Sequence, residues 1–152
     1  MREIKKIVCA LDLAEFTADV AEYAVMLAKG TGAKVSVLYV APSLTQYSAF
    51  EIQPKALESF VGEITEEAAK TMQDVMDEYF EDVDAEGRVA IGYPADEIIK
   101  TAEEEQADLI LMGTHGRQGM DLIIFGSVAD KVVKNASMPV LTIRPQKEEA
   151  QK

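Results

Sequence analysis

Short apolar runs rich in β-branched residues alternate with helix-periodic segments along the whole chain, and this alternation constrains the fold more than any other feature. The runs are 4–11 (IKKIVCAL), 34–40 (KVSVLYV), 88–91, 108–112 (DLILM) and 139–144 (PVLTIR). Segments this short and apolar suit strands buried on both faces of a parallel sheet. Between them, residues 18–29 place Ala21, Ala24, Val25 and Ala28 on one stripe, and Gly30 and Gly32 punctuate its end. The segment from Pro54 to about Phe80 repeats the helical spacing with Leu57, Phe60, Val61, Ile64, Ala68, Met72, Val75 and Met76. Residues 94–106 turn Ala95, Ile98, Ile99 and Ala102 inward, and residues 126–136 do the same with Val128, Val132 and Val133. The order β-α-β-α-β-α-β-α-β predicts an α/β domain, doubly wound, with right-handed crossovers.

At 152 residues and 48% hydrophobic the chain is expected to form one domain, spanning 1–146 with a polar tail at 147–152. Residues 41–53 form the longest irregular connection and are expected to act as a flap. A lone cysteine, Cys9, forms no intramolecular disulfide, which favours a reducing, cytoplasmic setting, and its place within a strand predicts a small core residue. The apolar run after Lys6 stops at Asp12, short of the roughly 7–15 residues of a secretion-signal core. No stretch approaches the ~18 apolar residues of a membrane span. The net charge of -12 argues against nucleic acid as a partner, because phosphate contacts need clustered Lys and Arg. Charge is uneven, however: residues 1–112 carry 9 basic and 23 acidic side chains, whereas residues 113–145 carry 4 and 2. A locally basic, glycine-rich stretch in an acidic protein suits an anionic ligand.

Doubly wound sheets bind ligands beyond the carboxyl ends of their strands, where strand order reverses. The loop Gly113-Thr-His-Gly116-Arg-Gln-Gly119 follows the fourth run directly, and Gly126-Ser127 opens the last helix. Glycines there admit backbone N–H groups close to an anion, and the helix start adds free donors and the positive end of its dipole. The pattern is that of a phosphate cradle. It is neither GxxxxGK[ST] nor GxGxxG, so the two common phosphate fingerprints are absent. Asp12, at a strand end, suits either a ligand contact or a helix cap. Ser127 suits a phosphate contact or a cap, since both use the same geometry. His115 is the only histidine, so no His–His metal pair can form, and it reads as a loop hydrogen-bonding residue.

The spacing Gly113-x2-Gly116-x9-Gly126-Ser127 resembles the nucleotide loop of the universal stress protein family. So do the opening strand ending in Asp12, Gly92-x-Pro94, the run from Ala107 to Arg117, Gly126-Ser-Val-Ala-Asp-Lys-Val and Met138-Pro-Val-Leu-Thr-Ile-Arg. The resemblance covers residues 3–145. It implies an adenine nucleotide alpha hydrolase-like fold: a five-stranded parallel sheet in order 3-2-1-4-5, with helices on both faces and ATP at the carboxyl ends of strands 1 and 4. By the same resemblance Asp12 would lie near the ribose, the Val40 backbone at the adenine edge, and Met112 and Gly113 under the nucleoside. His115 belongs to the same loop, and Gly116, Arg117, Gly126, Ser127 and Val128 would hold the phosphates, with Mg²⁺ as companion. A homodimer through the last strand, Pro139 to Arg144, is implied as well. One region departs from the family pattern. Leu13-Ala14-Glu15 replaces the small polar pair that usually caps the first helix, leaving Thr17 as the expected cap and an acidic Glu15 that weakens polyphosphate binding.

The leading expectation is an ATP-binding, nucleotide-responsive stress regulator. Two alternatives stay open: a slow ATP hydrolase on the same fold, and a dimeric interaction protein with an empty nucleotide site. No acidic metal cluster, general base or arginine finger stands out near the loop, which weighs against an enzyme.

Overall fold

A computed structural model describes residues 1–14, 16–41, 43, 53–114 and 126–144 of the chain. Strands β1 (Lys6–Ala10), β2 (Lys34–Ala41), β3 (Ala85–Ile91), β4 (Leu109–Gly113) and β5 (Val140–Ile143) alternate with α1 (Thr17–Thr31), α2 (Pro54–Tyr79), α3 (Pro94–Glu104) and α4 (Ser127–Asn135). Every strand pair is parallel and the sheet order is β3-β2-β1-β4-β5, as expected.

The two-residue period of the strands divides their apolar side chains between two cores. Ile7, Cys9, Val35, Val37 and Leu111 face α1 and α2, packing with Ala21, Ala24, Met72 and Val75. Val8, Ala10, Leu38, Ile110 and Met112 face α3 and α4, packing with Ile98, Ala102, Ala129 and Val132. Three central strands therefore carry apolar residues at nearly every inner position, Ser36 excepted, which is why they read as apolar runs. Cys9 is fully buried, and burial pushes its thiol pKa up to about 12. At the amino end of the sheet, the Asp108 carboxylate accepts the N–H groups of Lys5 at 2.8 Å and Lys6 at 3.0 Å. These bonds hold the start of β1 against the turn that leads into β4.

The edges depart from expectation. β3 and β5 are the edge strands and are not buried on both faces: most of their residues are exposed or half-buried, Leu141 at 37%. β3 begins at Ala85 rather than Arg88, in parallel register with Val35. Gly87 and the charged Glu86 and Arg88 hide its strand character in the sequence. A Cβ at Gly87 would meet Met72 Cγ at 2.8 Å, so glycine lets α2 lie close on this edge. Phe60 and Val133, both expected inside, are 46% and 48% exposed. α2 has 26 residues, about 39 Å of helix, and β2 has 8 residues, about 26 Å of strand, so the first turns of α2 overhang the sheet. On the short α4 the covered stripe runs through Ala129 and Val132, and Val133 falls beside it. Most of the 41–53 connection, Glu15, and residues 145–152 lie outside the described residues. Among the described residues, no helix is long and apolar enough to cross a membrane.

Candidate functional site

From β1 the chain builds the sheet one way through β2 and β3, then starts again on the other side with β4 and β5. Strand order therefore reverses between β1 and β4. A cavity of about 530 Å³ lies at their carboxyl ends, within the range of small-molecule sites. Ala10, Val40 and Met112 give it an apolar lining, and the starts of α1, α3 and α4 supply its walls.

The first wall begins at Asp12. The Ala14 N–H donates to Asp12 Oδ1 at 3.1 Å, and Leu13 between them holds a φ of 55°. That left-handed geometry is uncommon for a non-glycine residue. Asp12 Oδ2 is buried and has no partner among the described residues. Asp12 thus orders its own turn and does not cap α1. Neither does Thr17, contrary to expectation. The Val20 N–H reaches back to the Phe16 carbonyl at 3.3 Å, so the cap position is Phe16, and it has no side-chain capping bond. Thr17 comes one residue too late to cap, and its hydroxyl is buried without a partner among the described residues.

The opposite wall is the start of α4. Gly126 occupies its cap position at φ −63° and ψ 152°, with no side-chain cap. The Gly126 N–H donates to the Thr114 carbonyl at 2.8 Å, and the Asp130 N–H closes the first helical bond onto the Gly126 carbonyl at 2.9 Å. The N–H groups of Ser127, Val128 and Ala129 precede that bond, so none has an acceptor within the helix. All three residues line the cavity. Ser127 is the first helical residue, not the cap, and its side chain is left for other contacts. Lys131 on α4 meets Asp96 on α3 at 2.9 Å, an exposed pair joining two walls.

The third wall depends on Gly92, whose φ of 152° no L-residue adopts comfortably and whose Cβ would meet Glu97 Cγ at 2.8 Å. This glycine turns β3 into α3 and sets Pro94 and Ile98 on the cavity.

Of the residues expected at the site, Asp12, Val40, Met112, Gly113, Gly126, Ser127 and Val128 all line this one cavity. His115, Gly116 and Arg117 lie outside the described residues. Phe16, Thr17, Pro94 and Ile98 line it too and were not anticipated. Their sequence signal is topological: Phe16, Thr17 and Pro94 stand at the start of helices that follow a strand's carboxyl end, and Ile98 lies one turn further in. Among the described residues no three of His, Cys, Asp and Glu converge on a metal position. The arrangement offers an apolar floor, one carboxylate, and a row of N–H donors, which together suit a ligand with an apolar body and an anionic end.

A family model described as the universal stress protein family matches residues 3–144. Universal stress protein MJ0531 of Methanocaldococcus jannaschii is 35% identical over 150 residues, covering 95% of this chain and 85% of that protein. Among solved structures, hypothetical protein MJ0577 of the same organism superposes with a TM-score of 0.83 at 27% identity, covering 97% of this chain and all of that one. A universal stress protein from Archaeoglobus fulgidus in complex with dAMP gives a TM-score of 0.62 at 22% identity, over 93% and 98% of the two chains. Another universal stress protein, in complex with cAMP, gives 0.66 at 18% identity, over 94% and 98%. These last two likenesses speak to fold.

Proposed function

The chain belongs to the universal stress protein family, and from that premise we propose that it binds ATP with Mg²⁺ in the cavity between β1 and β4 and acts as a nucleotide-responsive stress regulator. The observation that carries this reading is the uncapped start of α4, with three N–H groups lacking helical acceptors on an apolar-floored cavity. Such an arrangement is a ready anion site. Relatives of the same fold hold dAMP and cAMP, which supports an adenine nucleotide as the ligand class in this reading.

In this reading the Val40 backbone meets the adenine edge, while Met112 and Gly113 support the nucleoside and Asp12 takes the ribose. Gly126, Ser127 and Val128 hold the phosphates together with His115, Gly116 and Arg117. The protein brings no metal cage of its own among the described residues. Mg²⁺ would be held by phosphate oxygens and water, the usual manner for this ion, and would offset phosphate charge. The N–H donors and Ser127 grip ground state and transition state about equally, which gives affinity without rate. We further assign a homodimer through residues 139–144, supported by the one-sided edge strand β5 and its exposed Leu141. A cytoplasmic location is favoured by the single cysteine.

The test is to denature the purified protein and identify released nucleotide by chromatography. An adenine nucleotide approaching one per chain is expected. A protein that releases none, and takes up none when ATP is added, contradicts the reading.

A further inference from the structure

Three buried side-chain oxygens have no hydrogen-bond partner among the described residues: Asp12 Oδ2, Thr17 Oγ1 and Glu105 Oε2. Glu105 sits at the amino end of the sheet, 3.9 Å from the Lys6 ammonium, which accounts for it. The other two belong to residues lining the one cavity described above. We propose that Thr17 is a specificity-determining residue of that cavity, forming with Asp12 a two-point clamp for the vicinal hydroxyls of a ribose. This rests on the nucleotide reading and deepens it.

Thr17 differs from two other helical threonines of this protein, Thr31 and Thr65. Thr31 donates to the Leu27 carbonyl at 2.7 Å and Thr65 to the Val61 carbonyl at 2.8 Å, each satisfied four residues back along its own helix. Thr17 opens α1, and the residue four back is Leu13, in the left-handed turn, so no helical carbonyl is available. Thr17 is 8% exposed, and leaving a buried hydroxyl unpaired costs stability. A ligand hydroxyl removes that cost.

The two oxygens are chemically complementary to a cis-diol. A carboxylate oxygen only accepts, so Asp12 Oδ2 accepts a hydrogen bond from one ribose hydroxyl, the 3′. A threonine hydroxyl donates or accepts, so Thr17 pairs with the second, the 2′-hydroxyl, in either sense. Neither oxygen is open to solvent, so contact requires the Asp12 and Thr17 side chains to turn toward the cavity they line. A 2′-deoxynucleotide, or a 3′,5′-cyclic one, presents only one hydroxyl and leaves half the clamp unmade.

Titration calorimetry with ATP and 2′-deoxyATP on wild type, Thr17→Val and Thr17→Ser tests this directly. Valine keeps the shape and removes the hydroxyl, and thermal unfolding of the unliganded variants confirms the fold. Wild type should prefer ATP by about tenfold, the scale of one hydrogen bond to a well-ordered site. Thr17→Val should lose that preference through weaker ATP binding alone, with 2′-deoxyATP unchanged, and Thr17→Ser should restore it. An undiminished preference in Thr17→Val, or an equal loss for both ligands, overturns the clamp. So does a wild type that binds both nucleotides equally. A wild type that binds neither overturns the nucleotide reading itself.

Discussion

The Ala14 N–H holds Asp12 Oδ1 at 3.1 Å, and this one bond aims the rest of the carboxylate. With one oxygen fixed in the turn, the other is buried and has no partner among the described residues, on a residue that lines the cavity. Asp12→Asn should therefore weaken ATP binding by roughly tenfold, since an amide nitrogen donates where the carboxylate oxygen accepted. The melting temperature should hold or rise, because a buried anionic oxygen is removed. Unchanged affinity in calorimetry would show that Asp12 does not touch the ligand.

Cys9 gives a pH-dependent prediction. Its folded pKa is raised from 9.0 to about 12 by burial. Below pH 9 the thiol is protonated in both states and its contribution is fully present. Above that, the unfolded chain ionises while the folded one holds its proton. Stability should fall by about 1.4 kcal/mol per pH unit until the folded pKa is passed. Denaturant unfolding at pH 8, 9 and 10 on wild type and Cys9→Ala isolates the effect, because other groups titrate in both. Parallel pH profiles in the two proteins would contradict it.

Turnover should be slow, well below ~1 per second, the low end of ordinary enzymes. Hydrolysis needs an oriented water and charge stabilisation specific to the transition state. A steady-state phosphate-release assay reads this. Sustained turnover above that rate, abolished in His115→Ala, would make the protein an ATP hydrolase.

The homodimer assigned to β5 is open to a surface substitution. Leu141→Lys places two like charges at the proposed two-fold contact and changes a residue already 37% exposed, so the fold should be kept. Light scattering at tens of micromolar should give twice the chain mass for wild type and a single mass for the variant. A wild-type monomer removes the assignment.

The central sheet was legible in the sequence because β1, β2 and β4 bury both faces and so carry apolar runs broken inside only by Ser36. β3 was half hidden, since an edge strand tolerates Glu86, Gly87 and Arg88, and its length is set by pairing with β2. Phe60 and Val133 fit a helical period, but period says nothing of where a sheet ends beneath a helix. At the cavity, glycine spacing and strand ends singled out Asp12, Gly113 and Gly126. Thr17 and Phe16 were missed for a different reason. A residue at the start of a helix reads as a cap, and only the Val20-to-Phe16 bond shows which of the two holds that position.

The account stands or falls on the start of α4. Gly126 has backbone angles of −63° and 152°, open to any residue, so Gly126→Val adds bulk at the phosphate approach without backbone strain. Calorimetric titration of nucleotide-free protein with Mg-ATP is the measurement. Wild type should bind about one nucleotide per chain, and Gly126→Val should show no binding with its melting temperature kept. Equal ATP affinity in the two proteins would contradict the assignment of the phosphates to this helix start.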